Sequence, residues 1–273
     1  MTTIEQFKQF LQEDEKSPAT IEKYLRDIRY FMQYMGDKVP VKQDILNYKK
    51  HLGEQYAVRS ANSMIASLNS YLRFAGRHHL CVKQYKIQQE AYCPAQKELT
   101  KEEYFRLVRA AERQQNRRLS LIVQTICATG IRVSELSAIT VEAVKKGEAM
   151  VSCKGKIRKI FLVRELRDKL KQYIARQGIQ TGMIFTTRNG KPISRSNIWR
   201  EMKHLCKQAG VAPEKVFPHN LRHLFARTFY GIEKDIAKLA DILGHSNINT
   251  TRIYIMTTGY EHQKRMENLR LLL

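Results

Sequence analysis

Acidic residues are scarce in this chain of 273 residues: 26 Asp and Glu stand against 48 Lys and Arg, a formal net charge of +22. Cysteine is also sparse, and Cys81, Cys93, Cys127, Cys153 and Cys206 share no CxxC spacing. Their odd number argues against a disulfide framework and a four-Cys zinc site, and fits thiols in a reducing compartment. No stretch approaches the ~18 apolar residues that a membrane helix needs, and Met1 to Gln12 has no apolar core of a signal peptide. A cytoplasmic, soluble protein without a membrane partner is therefore expected. Internal repeats and low-complexity tracts are missing, which excludes solenoids and tail-like segments.

What is present is a globular balance, 43% apolar and 27% charged, with enough length for one large or two modest domains. A basic surplus of this size in a folded chain points to a polyanion, with nucleic acid ahead of an anionic membrane surface. A merely solvated basic surface fits the same number. The surplus is uneven. Residues 1–98 carry 15 basic and 11 acidic side chains, which leaves 33 and 15 for residues 99–273.

The pattern predicts a mainly α protein with a small antiparallel β-sheet. Four short helices are expected in the first part. One lies at Ile4–Leu11, and one begins at Ser17-Pro18, with Ser17 as cap and Pro18 in the first turn. The others run from Val41 to Leu52 and from Val58 to Gly76. A polar segment around Pro94, residues 86–98, reads as a linker, which separates a domain at 1–85 from one at 99–273. The second part opens on a capping box, Thr100 with Glu103, and continues into a helix at Leu119–Ala128 that is apolar nearly all round. Strands are expected at Ala149–Cys153 and Lys159–Val163, with a third at Met183–Thr187, and helices from Ser194 onward. Trp199 is assigned to the core, and Asn249 or Thr250 to the cap of the last of these helices.

Three clusters carry chemistry. In Thr129-Gly130-Ile131-Arg132-Val133-Ser134-Glu135-Leu136, Arg132 stands at a helix start that favours an anion, and Glu135 can hold its guanidinium. A plain salt bridge fits as well. In Pro218-His219-Asn220-Leu221-Arg222-His223, His219 and Arg222 share a helix face, an imidazole for a proton and a guanidinium for phosphate oxygens. No metal is expected, because no acidic or thiol group sits at ligand spacing. The third cluster runs from Leu243-Gly244-His245 through Thr250-Thr251 to Tyr254, and Tyr254 taken alone reads equally as a core aromatic.

Taken together and in this order, with Lys154 in a hairpin between the first two, the clusters resemble the tyrosine recombinase family of phage integrases and Xer-like enzymes. The resemblance implies an N-terminal four-helix SAM-like core-DNA-binding domain and an α-rich catalytic domain. It implies strand exchange through a covalent 3′-phosphotyrosyl link with no cofactor. In that scheme Tyr254 is the nucleophile, and His219 is the base that takes the phenol proton. Arg132 and Arg222 clamp the phosphate with His245 as a further donor, Lys154 protonates the 5′ leaving oxygen, and Glu135 orients its neighbours. Lys156 competes with Lys154, because Cys153 replaces the glycine usual before that lysine. Arg59, Arg73, Arg77, Lys83, Lys156 and Arg158 are candidate DNA contacts, though any of them also fits a solvated surface. The expected partner is double-stranded DNA with inverted-repeat core sites, bound in a synapse by a homotetramer or a heterotetramer with a paralogue, in association with the nucleoid. The leucine-rich end of Glu261–Leu273 is expected to dock on the next subunit. A DNA-binding regulator with a structural Tyr254 and a type IB topoisomerase or telomere resolvase are the alternatives.

Overall fold

A computed structural model describes residues 4–87, 98–153, 156–187, 189–255 and 267, with the side chains of Cys153 and Lys156 excepted. Lys154, the side chain of Lys156, most of the 86–98 segment and nearly all of the C-terminal tail lie outside the described residues. The chain divides into two compact units, residues 1–89 and 90–273.

The first unit holds four helices: α1 (Ile4–Glu13), α2 (Pro18–Met35), α3 (Lys42–Gln55) and α4 (Val58–Phe74). Ser17 caps α2 by accepting from the Thr20 N–H, with Pro18 in the first turn where a missing N–H costs nothing. The core follows the apolar spacing, with Phe7, Leu11 and Ile28 closing one end and Ile45, Leu52, Ile65 and Leu72 the other. At roughly 1.5–3 kcal/mol per buried aliphatic or aromatic side chain, this contact holds helices too short to stand alone. Arg59, Arg73 and Lys83 are exposed, and Arg77 is half-buried. Arg59 and Arg73 lie about four turns apart on α4, so they share a face.

The second unit is built around α6 (Arg117–Thr129), which is buried from Leu119 to Ile126 and packs against α5 (Lys101–Arg113) and α10 (Pro218–Glu233). Thr100 and Glu103 form the expected capping box of α5. After α7 (Val141–Lys146), β1 (Glu148–Cys153) pairs antiparallel with β2 (Lys156–Phe161), Val151 opposite Arg158. The second strand therefore begins three residues earlier than its alternation suggests. Helices α8 (Arg164–Gln177), α9 (Arg195–Ala209), α11 (Ile236–Leu243) and α12 (Ile248–Ile255) complete the unit. No helix among the described residues is long and apolar enough to cross a membrane.

Three local expectations are corrected. Met183–Thr187 is not a strand, because it makes only isolated bridges, Thr140 to Met183 and Thr186 to Pro192. No neighbour runs alongside it long enough to build a ladder, and Pro192 has no N–H to donate. Trp199 is 49% exposed. The buried stripe of α9 is Ile198, Met202, Leu205, Cys206 and Ala209, so Trp199 turns away from it, with Lys203 Nζ 5.4 Å from its ring. Finally, α12 starts before Asn249, and Asn247 Oδ1 accepts from the Asn249 N–H at 2.8 Å.

Candidate active site

All three sequence clusters meet in the second unit. Gly130 ends α6 in the left-handed region (φ 63°), which turns the chain so that Arg132 enters a 3₁₀ turn, Val133–Ala138. Glu135 in that turn is buried and accepts from the Arg132 backbone N–H at 2.8 Å and from Arg132 Nη1 at 2.9 Å. It also takes both terminal nitrogens of Arg158, at 2.8 and 2.7 Å. Burial alone pushes the Glu135 carboxyl up, but the hydrogen bonds from Arg158 and Arg132 more than offset this and hold it below its ordinary range.

Helix α10 places His219, Arg222 and His223 on one side at spacings of three and four. Arg222 is 1% exposed. Its Nη1 donates to the Gly130 carbonyl, and its Nη2 donates to the Leu243 carbonyl at 2.6 Å and to His245 Nε2 at 3.0 Å. Among the described residues its buried Nε has no hydrogen-bond partner. Burial, with Arg132 and Arg158 nearby, lowers this guanidinium's pKa to about 10, so it stays charged at neutral pH.

The end of α11 organises the cations. Arg158 Nε donates to the Ile242 carbonyl at 3.0 Å, Arg222 to Leu243, and Arg132 Nη2 to Gly244 at 3.3 Å. Three consecutive carbonyls at the negative end of the helix thus hold three different guanidiniums. With Glu135 as the single carboxylate paired with them among the described residues, these three guanidiniums keep two net positive charges to offer an anion.

Helix α12 brings Tyr254 against this cluster, 6% exposed. Its hydroxyl lies in hydrogen-bond contact with His219 Nε2 at 3.1 Å, and donates there when the imidazole carries its proton on Nδ1. The ring lies flat on His223, with centroids 4.1 Å apart and planes at 15°. The Arg222 guanidinium carbon is 5.8 Å from the ring centre. Burial first, then Arg222, Arg195 and Arg132, pulls the His219 pKa below its ordinary value, which keeps the imidazole neutral and able to accept the phenol proton. A cavity of 390 Å³ opens beside these groups, lined by Arg132, Ser134, Arg195, Pro218, His219 and Arg222.

Two expectations change. Arg158, expected among the DNA contacts, directs its guanidinium inward to Glu135 and Ile242, and its side chain is 12% exposed. His245, expected to donate to the phosphate, has both nitrogens engaged. Arg222 can only donate, so His245 Nε2 accepts from it, and the imidazole proton sits on Nδ1, which donates to Thr251 Oγ1 at 2.9 Å. His245 therefore supports Arg222 in this arrangement. Sequence reasoning gave no role to His223, Arg195 or Thr251. The four-residue step from His219 was the available signal for His223. Arg195 follows the N-cap Ser194 directly, and nothing in the pattern placed it near His219.

The chain is similar to known proteins over most of its length. Residues 4–79 match the phage integrase N-terminal SAM-like domain. The tyrosine recombinase XerA of Pyrococcus furiosus is 28% identical, over 98% of this chain and 94% of that protein. The tyrosine recombinase XerD of Halalkalibacterium halodurans is 28% identical, over 89% of this chain and 88% of its own. Among solved structures, a lambda integrase (75–356) dimer bound to a COC′ core site superposes with a TM-score of 0.76 at 19% identity, covering 94% of this chain and 95% of that one. The XerH site-specific recombinase bound to difH substrate, in a pre-cleavage complex, gives 0.72 at 18% identity, with 98% and 84% covered. Residues 97–259, which hold every member of the arginine, histidine and tyrosine cluster, match the phage integrase family, and the chain belongs to that family.

Proposed function

We propose that this protein is a site-specific DNA recombinase in which Tyr254 attacks a phosphodiester and stores the cleaved strand as a 3′-phosphotyrosyl ester. The observation that carries the reading is the Tyr254 hydroxyl resting on a neutral His219 beside a cavity walled by Arg132 and Arg222.

The chemistry balances within the chain. A free phenol, with a pKa of about 10, is a poor nucleophile at neutral pH. His219 Nε2 takes its proton as the Tyr254 oxygen bonds to phosphorus and the bond to the 5′ oxygen breaks. Lys154 supplies the proton to that leaving oxygen, with Lys156 as the competing donor. Arg132 and Arg222 hold the non-bridging oxygens, where negative charge grows in the phosphorane. His245 keeps Arg222 in place. In the second half, a 5′ hydroxyl from the exchanging strand returns its proton to the lysine as its oxygen bonds to the same phosphorus, the bond to Tyr254 breaks, and Tyr254 recovers its proton from His219, so no bond energy is lost.

The domain layout serves this role: residues 1–85 bind core DNA, 86–98 link, and 99–273 cut and bind most of the phosphates. Arg59, Arg73, Arg77 and Lys83 contribute from the first domain. The DNA is an inverted repeat, because paired subunits related by a two-fold need paired half-sites, and four subunits form the synapse.

The test is a nicked duplex that loses its short 5′ fragment on cleavage, built on an inverted repeat selected for binding by the full chain. Wild type should be trapped covalently, and Tyr254→Phe should bind equally and give no adduct. Adduct formation by Tyr254→Phe, or none by wild type, would overturn the proposal. Relaxation of plasmids lacking the selected site would move the reading to a topoisomerase.

A further inference from the structure

Arg158 stands at the crossing of three segments that the reaction needs held together. It lies on β2, the strand that follows Lys154 in the sequence. Its two terminal nitrogens fork onto Glu135, in the turn that carries Arg132, and its Nε reaches the Ile242 carbonyl beside the two carbonyls that hold Arg222 and Arg132. All five of its N–H bonds lie in the plane of one guanidinium, and at least three are committed to these two partners. A lysine cannot reproduce that fork. Gly244 leaves the space it crosses: a Cβ there would sit 3.0 Å from Arg158 Cδ and Nη1.

Glu135 accepts on both oxygens, Oε1 from Arg132 and Arg158 and Oε2 from the Arg132 backbone N–H and Arg158. The carboxylate is therefore pinned from two sides, and Arg132 keeps one edge against it and Gly244 while facing the cavity. Without Arg158, Glu135 would keep Arg132 as its only cation among the described residues and would lose two of its four hydrogen bonds.

Resting on the recombinase reading, we infer that Arg158 is a positioning residue for the phosphate clamp: it fixes Glu135 and the end of α11 so that Arg132 and Arg222 meet the non-bridging oxygens in register. It does not contact DNA itself. A misplacement on the ångström scale is enough to cost about 10- to 100-fold in rate.

The experiment uses the full chain and the nicked duplex of selected sequence in two forms, one with the natural scissile phosphate and one with a neutral methylphosphonate there. Single-turnover adduct formation is measured at saturating DNA for wild type, Arg158→Met and Arg158→Lys, with duplex affinity measured on the same preparations. Arg158→Met should cut the rate about 10- to 100-fold on the phosphate with affinity nearly unchanged, and Arg158→Lys should fall between. On the methylphosphonate, which has less charge to clamp, the defect should shrink by roughly tenfold. If Arg158→Met does not fold, the ratio between the two substrates for Arg158→Lys decides the matter alone. Wild-type rates, or an equal loss on both substrates, overturn the inference while leaving the recombinase reading intact. A weakened duplex affinity with a wild-type rate at saturation restores Arg158 to the DNA contacts and overturns it too. Absence of an adduct with wild type overturns the recombinase reading itself.

Discussion

Removing the Glu135 side chain should destabilise the second unit by a predictable amount. The carboxylate is 3% exposed and sits between Arg158, 12% exposed, and Arg132, 28% exposed. Glu135→Ala leaves both guanidiniums without an anion, next to the buried Arg222. Taking one partner from a buried ion pair costs about 3–5 kcal/mol, and the partial exposure of Arg132 to water favours the lower end, about 3 kcal/mol. For a unit of this size, 1 kcal/mol corresponds to about 2–4 °C, so the unfolding midpoint should drop by about 6–12 °C. Glu135→Gln, which keeps an acceptor and loses the charge, should fall between. The assay is thermal and urea unfolding of the full chain, followed by far-UV circular dichroism and by emission of Trp199, the single tryptophan, which reports on the second unit. The effect also carries a pH signature. The Glu135 pKa is lowered in the fold, so its contribution is complete above the ordinary value of 4.5 and disappears as pH falls through the lower folded value. The gap between wild type and Glu135→Ala should therefore close in acid. A loss below about 1 kcal/mol at pH 7, within the range of ordinary surface changes, would falsify the claim that this carboxylate holds the cluster.

Other outcomes follow from the same geometry. His223 and His245 are half-buried and neutral, and desolvation followed by neighbouring cations and imidazoles lowers each pKa to about 4. Because the folded values lie below the unfolded ones, each histidine begins to destabilise the fold as pH drops below 6.5, by about 1.4 kcal/mol per unit until pH 4. His223→Phe, which keeps the ring against Tyr254, should flatten the acid side of a stability–pH curve by one proton, and an unchanged slope would count against the assignment. Cleavage should be level above pH 6.5 and fall in acid as His219 gains its proton, read as single-turnover rate against pH. Gly130→Ala should cost about 2–4 kcal/mol, because φ is 63° and the new Cβ would lie 2.5 Å from the Phe225 ring. Denaturant titration checks it, and a change under 1 kcal/mol would show that the ring yields easily.

Local rules made much of the fold legible. Ser17-Pro18 and Thr100 with Glu103 name helix starts because a side chain there satisfies an orphan N–H, and the structure uses both. Gly130 and Gly244 name helix ends because each must adopt positive φ. The failures have the opposite character. Whether Met183–Thr187 becomes a strand depends on a partner that runs beside it, which periodicity does not report. Trp199 reads as core from its place on the expected inner face of the Ser194–Gly210 helix, yet the register of α9 turns it outward. Arg158 and Arg195 are single basic residues in a chain with 48, and only tertiary contact separates the one that braces Glu135 from the one that lines the cavity.

The clustering of cations explains why the motifs had to be read together. Arginines this close repel one another, and burying Arg222 is unfavourable enough to lower its pKa to about 10. One carboxylate cannot neutralise them. The fold supplies the remainder with backbone dipoles: the carbonyls of Ile242, Leu243 and Gly244 at the end of α11, and that of Gly130 at the end of α6, all point at guanidinium N–H groups. Carbonyls stabilise a cation without cancelling its charge, so the pocket stays positive for a phosphate while the arginines stay fixed. Glycine at both helix ends leaves those carbonyls open to the side chains that approach them. In sequence, Thr129-Gly130-Ile131-Arg132 and Leu243-Gly244-His245 look like helix stops followed by functional residues. In space, the two stops are themselves ligands of the arginines. Replacing the dipoles with a second carboxylate would hold the guanidiniums as firmly and leave less positive charge for the substrate, which is the physical reason that acidic side chains are so few around this site.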